Sequence, residues 1–232
     1  VILKQLSVMS WALILVTTLL RVEFTGEARL KSGELFYREQ HQEFYDGEKL
    51  TKAQTVYLDA SGKKIGELTS VYTGVRGLPQ YRYQDLRSGY EDGVEIRSDT
   101  VIVFRKLSAS KPREDVELVI SPQLASGQGF NHLVRNSLEE MIGAGPLHVK
   151  LILPTRLDYF QFRARLREAN DQFVKVRFEI DNWILRLFAS HLDLIYERKT
   201  KRLIQYEGIS NIEDSTGKHP FVTITYQYPD KK

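Results

Sequence analysis

The chain contains no cysteine. That excludes a disulfide framework, and it excludes a lipobox, which needs a cysteine to carry its lipid. There is no marked excess of charge of either sign: 33 basic residues stand against 30 acidic ones, a net of +3. The charges are interspersed, whereas a nucleic-acid-binding stripe clusters Lys and Arg on one face. Nucleic acid is therefore not an expected partner. Catalytic signatures are missing too. No Gly-x-Ser-x-Gly elbow occurs. No histidine pair has metalloprotease spacing, and no Lys-Ser/Thr follows Gly127-x-Gly129 as a phosphate loop requires. A triad assembled from distant positions leaves no local trace, but the expectation is a non-enzyme with no cofactor.

No apolar run reaches the roughly 20 residues that cross a bilayer. The run that comes nearest is Leu6 to Leu20, LSVMSWALILVTTLL. With Lys4 ahead of it and the small residues Gly26 and Ala28 after it, it fits a signal peptide cut after Ala28. The expected organisation is a leader over 1–28 and a single β-rich domain over 29–232, exported to a bacterial periplasm, with no membrane span in the mature form. An uncleaved anchor helix is the alternative. About 200 residues remain, enough for one hydrophobic core, and their charge balance is that of the whole chain.

What the sequence does contain is alternation, with 12 Tyr and 11 Phe of the kind that fill pleated surfaces. Phe160, Phe162, Ala164 and Leu166 share one face of a run. Val174, Val176, Phe178 and Ile180 share one face of the next, and Asn170-Asp171 between them predicts a hairpin. Leu147 to Leu153 and Val222 to Tyr228 repeat the pattern. In the first half, Asp46-Gly47, Asp59 to Gly62 and Asp92-Gly93 predict turns between more polar strands, the first of them beginning at Leu35. One amphipathic helix is predicted from Phe130, Leu133, Val134, Leu138, Met141 and Ile142, with Asn131, Arg135, Asn136, Glu139 and Glu140 as its polar face. Gly129, Gly143 and Gly145 at its ends suit caps or a tilting lid. Trp183 to Leu194 reads equally as a short helix or a buried strand.

Several blocks carry a likeness. Leu192 to Tyr196, Arg202 to Ile212, Val222 to Tyr226, Gly127 to Arg135, Leu153 to Leu157, Tyr57 to Gly62 and Pro79 to Asp85 resemble a family of uncharacterised exported bacterial β proteins. The likeness covers most of the mature chain through turn and strand patterns. More remotely, the order of strands with an inserted helix is similar to the outer-membrane lipoprotein carriers. That resemblance implies an incomplete barrel whose concave side holds acyl chains, although architecture alone does not fix function. The resemblance supplies no catalytic residues.

The expected fold is mainly β: an antiparallel sheet curved into a half-open barrel, with the helix packed on its concave side. The expected function is a binding or carrier module for an apolar ligand such as a lipid, acyl chain or lipopeptide. Its candidate ligand-binding residues are Phe130, Leu133, Met141, Phe160, Phe162, Val176, Phe178 and Tyr226. The alternative is a structural protein of the cell envelope with a solid core and an envelope protein as partner. Three further clusters read more readily as structure than as sites. Glu39, His41 and Glu43 share a strand face and are suitable metal ligands, but an edge strand carries such charges for its own reasons, and no metal is expected. Asp85 and Arg87, beside Tyr81 and Tyr83, read as an ion pair. Gly127-x-Gly129 reads as a plain entry to the helix.

Overall fold

The computed structural model describes residues 19–74, 77–182, 184 and 191–229. Its strands, in chain order, are β1 (Leu19–Leu30), β2 (Leu35–Asp46), β3 (Lys49–Asp59), β4 (Lys64–Val71), β5 (Gln80–Asp85), β6 (Glu91–Arg97), β7 (Thr100–Lys106), β8 (Arg113–Val119), β9 (Leu124–Ala125), β10 (Leu147–Leu153), β11 (Asp158–Ala169), β12 (Phe173–Ile180), β13 (Leu192–Glu197), β14 (Leu203–Ile209) and β15 (Phe221–Gln227). All belong to a 15-stranded sheet, in the order β8-β7-β6-β5-β4-β3-β2-β1-β15-β14-β13-β12-β11-β10-β9. Neighbours run antiparallel except β9 and β10, which are parallel. The sheet is not closed into a barrel, because β8 and β9 do not pair. Its two ends nonetheless approach: the 3-10 turn Pro154–Arg156 after β10 sits against β6 and β7, and the Arg105 guanidinium of β7 donates to the Thr155 carbonyl.

The predicted hairpin is β11–β12. Phe162 faces Ile180, Ala164 faces Phe178 and Leu166 faces Val176, before a bulge at Leu166–Glu168. Other expectations change. β1 lies ahead of the expected first strand, and it is the middle of the sheet, hydrogen-bonded to β2 on one side and β15 on the other. Ala28, the expected cleavage residue, is 0 % exposed inside it. The rest of the expected leader, residues 1–18, falls outside the described residues, as do Trp183 and residues 185–190 of the ambiguous segment. Asp92-Gly93 is no turn but part of β6. A Cβ on Gly93 would stand 2.2 Å from the Tyr81 carbonyl oxygen and 2.7 Å from the Phe104 ring, so this glycine serves a close approach inside the sheet.

The single predicted helix is two, α1 (Gly129–Asn136) and α2 (Leu138–Ala144). Ser137 between them leaves helical geometry at φ −104°, ψ 8°, in keeping with the poor helix propensity of an Asn-Ser pair. Ile142, the last residue of the predicted apolar stripe, is exposed. Gly129 is no hinge: a Cβ there would lie 2.2 Å from the Gly77 carbonyl oxygen, so the start of α1 is docked by backbone contact. Two apolar clusters fill the molecule. One joins residues such as Ala28, Tyr57, Leu68 and Val94 to Ile152 and Ile224. The other packs Leu133, Val134, Leu138 and Met141 of the helices against Val149, Val176, Phe178 and Leu194.

Candidate functional site

Between these clusters lies a cavity of about 420 Å³. Tyrosines from five strands wall it: Tyr37 of β2, Tyr57 of β3, Tyr81 and Tyr83 of β5, Tyr206 of β14 and Tyr226 of β15. They reach it because side chains alternate across a strand. The rings of Tyr37 and Tyr57 meet edge to face at 6.0 Å, as do those of Tyr57 and Tyr83 at 5.9 Å. Exposed lining residues mark the mouth: Ile209, Asn211, Glu213 and His219, from the end of β14 and the connection to β15. On β1, Gly26 keeps the wall thin, since a Cβ there would come within 3.0 Å of the Tyr226 ring and 3.1 Å of Glu39 Oε2.

Polar groups run along the wall in two networks. In the first, His41 Nε2 lies 2.8 Å from Glu39 Oε2 and His41 Nδ1 lies 2.8 Å from Thr55 Oγ1. Gln128 Nε2 donates to Thr55 Oγ1 at 2.7 Å, and Ser70 Oγ donates to Gln128 Oε1 at 3.1 Å. His41 Nε2 donates toward Glu39, and Thr55 joins the ring nitrogen Nδ1 to the Gln128 amide. The His41 ring stacks on Phe24 at 4.4 Å and 8°. The order carboxylate, imidazole, hydroxyl is the one nucleophilic catalysis uses, but Thr55 is 1 % exposed and its oxygen is committed to Gln128.

The second network centres on Glu43. His132 Nε2 lies 3.3 Å from Glu43 Oε1, Arg135 Nη1 lies 3.8 Å from Glu43 Oε2, and the Tyr45 hydroxyl donates to Glu43 Oε2. Arg135 Nη2 also contacts His132 Nδ1 at 2.7 Å. A guanidinium can only donate, so His132 accepts at Nδ1 and carries its proton on Nε2, facing Glu43. Burial lowers the His132 pKa, in keeping with a neutral ring. Burial alone would raise the Glu43 carboxyl. The hydrogen bond from His132, the Arg135 charge and the Tyr45 hydroxyl outweigh it and hold the Glu43 carboxyl below the ordinary carboxylate range. The Tyr45 hydroxyl is pushed up to about 12, by burial first and then by Glu43. Asp92 is the opposite case: burial pushes its carboxyl up to about 6, against the hydrogen bond from Tyr90.

Of the predicted ligand-binding residues, Phe130 and Tyr226 line the cavity. Leu133, Met141, Phe162, Val176 and Phe178 belong to the adjoining solid cluster instead. Phe160 lies on β11 beside Leu151 of β10, half-buried. Glu39, His41 and Glu43 do share the inward face and line the cavity, but His41 pairs with Glu39 while Glu43 pairs with His132, Arg135 and Tyr45. Among the described residues, no three His, Cys, Asp or Glu side chains converge on a metal position. Asp85 and Arg87 form the expected ion pair, Arg87 Nε donating to Asp85 Oδ1 at 3.1 Å. Gly127 lies against the Tyr81 ring at φ +46°, which accounts for the glycine by packing.

Sequence reasoning missed the inward-facing side of α1. Asn131 accepts from the Tyr196 hydroxyl at 2.7 Å, and Arg135, assigned to the polar face, reaches Glu43. The signal available was a helix with Gln128, Asn131, His132 and Arg135 close to one stripe and Glu39, His41 and Glu43 alternating on a strand. Comparison with family models, with curated proteins and with solved structures finds no match for this chain.

Proposed function

We propose that this protein is a binding module that takes one small ligand with an apolar body into the cavity between β1–β6, β13–β15 and α1. The observation that carries this reading is the cavity. At about 420 Å³ it falls in the range of small-molecule sites, about 300–1,000 Å³, and it is walled by aromatic rings with a few placed polar groups. A protein with a solid core has no need of such a space. In this reading the helices close the concave side of the sheet, and Gly129 anchors them there. A carrier role and export follow the same proposal. The apolar residues ahead of Leu19 are its leader, and the cut falls before β1, because a cut after Ala28 would remove most of the middle strand of the sheet.

The test is saturation binding of the neutral fluorophore N-phenyl-1-naphthylamine to the full domain beginning at Leu19. One molecule per chain is expected. Leu68→Trp, which fills part of the cavity from β4, is expected to weaken binding about tenfold or more, by loss of about 1.4 kcal/mol. The absence of saturable binding to the wild type contradicts the proposal.

A further inference from the structure

Building on the ligand-binding reading, we infer that the cavity selects an organic cation: an ammonium head on an apolar body, the head seated beside Glu39 among the rings of Tyr37, Tyr57, Tyr206 and Tyr226. The charge inventory of the wall points this way. Among the described residues lining the cavity, the guanidinium is that of Arg135 and no lysine is present. The Arg135 charge is already taken by Glu43 and by the Tyr45 hydroxyl. The carboxylates are not balanced to the same degree. Glu39, nearly buried, has for its partner the His41 ring and no guanidinium or ammonium. Asp92 accepts from the Tyr90 hydroxyl. Its register neighbour Arg105 turns away to Glu114 and the Thr155 carbonyl. At the mouth Glu213 adds another carboxylate, 3.6 Å from the His219 ring.

The aromatic groups complete the recognition. Glu39 lies close enough to Tyr37, Tyr57, Tyr206 and Tyr226 for its charge to make all four hydroxyls harder to ionise, second to burial. Four tyrosines around one carboxylate is what a cation needs, because ring faces attract positive charge and the carboxylate supplies the counter-charge. An anionic head beside Glu39 would meet the repulsion of a like charge at short range. One hydroxyl is also left over. Tyr37 is 1 % exposed, lines the cavity, and its hydroxyl makes no hydrogen bond of ordinary geometry. The neighbouring Ser210 hydroxyl is engaged with the Ile212 carbonyl and N–H. An ammonium N–H in the cavity supplies the donor that Tyr37 lacks.

The test displaces N-phenyl-1-naphthylamine from the wild-type domain with dodecylammonium, dodecyltrimethylammonium and laurate, each below its micelle concentration. The ammonium probes are expected to act at concentrations about tenfold or more lower than laurate, and Glu39→Gln is expected to erase that difference. Dodecylammonium ahead of its trimethyl analogue assigns the head to hydrogen bonds with Tyr37 and Glu39. The reverse order assigns it to the ring faces. Laurate acting at equal or lower concentration overturns the inference while leaving the binding reading intact, and so does a cation preference that survives Glu39→Gln. Should Glu39→Gln not fold, Tyr206→Leu serves in its place: ammonium affinity is expected to fall about threefold with laurate unchanged, and an equal fall in both overturns the assignment. Failure of the neutral fluorophore itself to bind the wild type removes the binding reading, and the inference with it.

Discussion

The two halves of the inward face obey one pleat and are built from different chemistry. From β10 to β13, with α2 and the Leu133–Val134 side of α1, the face is mostly aliphatic and Phe: Phe178 stacks on Phe162 at 4.8 Å and 11°, and Val149, Val176 and Leu194 fill the space around them. From β1 to β6, with β14, β15 and the His132–Arg135 side of α1, it is tyrosine, buried carboxylate and imidazole around a void. A region that is only to be packed does best with side chains that have no polar atoms to satisfy. Placing Glu39, Glu43, His41 and His132 in the other half brings a hydrogen-bonding obligation that packing alone does not require, and the networks show it being met. Polar groups held around a void, next to a core that needs none, mark the tyrosine half as the working half.

The largest effect expected breaks the joint between the halves. β1 has seven strands on either side of it in the sheet order. A chain beginning at Arg29 is expected to lose cooperative thermal unfolding and its near-ultraviolet circular dichroism, while one beginning at Leu19 keeps both. Equal folding of the two would show that the halves stand without their shared strand. Next comes truncation within each half. Phe178→Ala in the solid half is expected to cost about 3–5 kcal/mol in denaturant unfolding, and Leu68→Ala beside the cavity about 2 kcal/mol, because its neighbours already border empty space. Equal costs would mean that the two regions are packed alike.

Glu43→Gln leaves Arg135 buried without its counter-charge and is expected to cost about 3 kcal/mol at neutral pH. Its pH dependence sharpens the point. Glu43 is held below an ordinary 4.5, so its contribution is in place above pH 4.5 and is lost as pH falls from there through its lowered value. The cost of Glu43→Gln should therefore shrink on acidification. His132, with its pKa lowered by burial, adds to the loss of stability as pH falls below 6.5. Asp92 has the opposite sign. Raised to about 6 from an ordinary 3.8, it stabilises below pH 3.8 and loses that contribution as pH rises through 6. Asp92→Asn is expected to gain on the wild type over that interval by about 2–3 kcal/mol. A flat difference between the two proteins would place Asp92 in ordinary solvent.

The solid half was legible in the sequence and the working half only partly. Phe162, Ala164 and Leu166 against Val176, Phe178 and Ile180 announce a hairpin because strict alternation with large apolar residues has few other readings. β1 hid because two of its inward residues, Gly26 and Ala28, are small and also satisfy a cleavage pattern, and they come soon after the apolar run. Asp92-Gly93 mimics a turn because the glycine that a close strand approach needs is the same residue a turn needs. The shared face of Glu39, His41 and Glu43 was legible from spacing two. Their partners were not, since His132 and Arg135 come from a helix some ninety residues away along the chain. The 12 tyrosines were countable, but only the strand order brings six of them from five strands around one space.

The most direct test of the division into a packing half and a working half is native mass spectrometry of the Leu19-start domain with N-phenyl-1-naphthylamine, comparing wild type, Leu68→Trp and Phe178→Leu. One bound molecule per wild-type chain, lost in Leu68→Trp and kept in Phe178→Leu, is the predicted result. Binding that survives Leu68→Trp and disappears in Phe178→Leu would place the ligand in the half described here as solid, and would contradict the account.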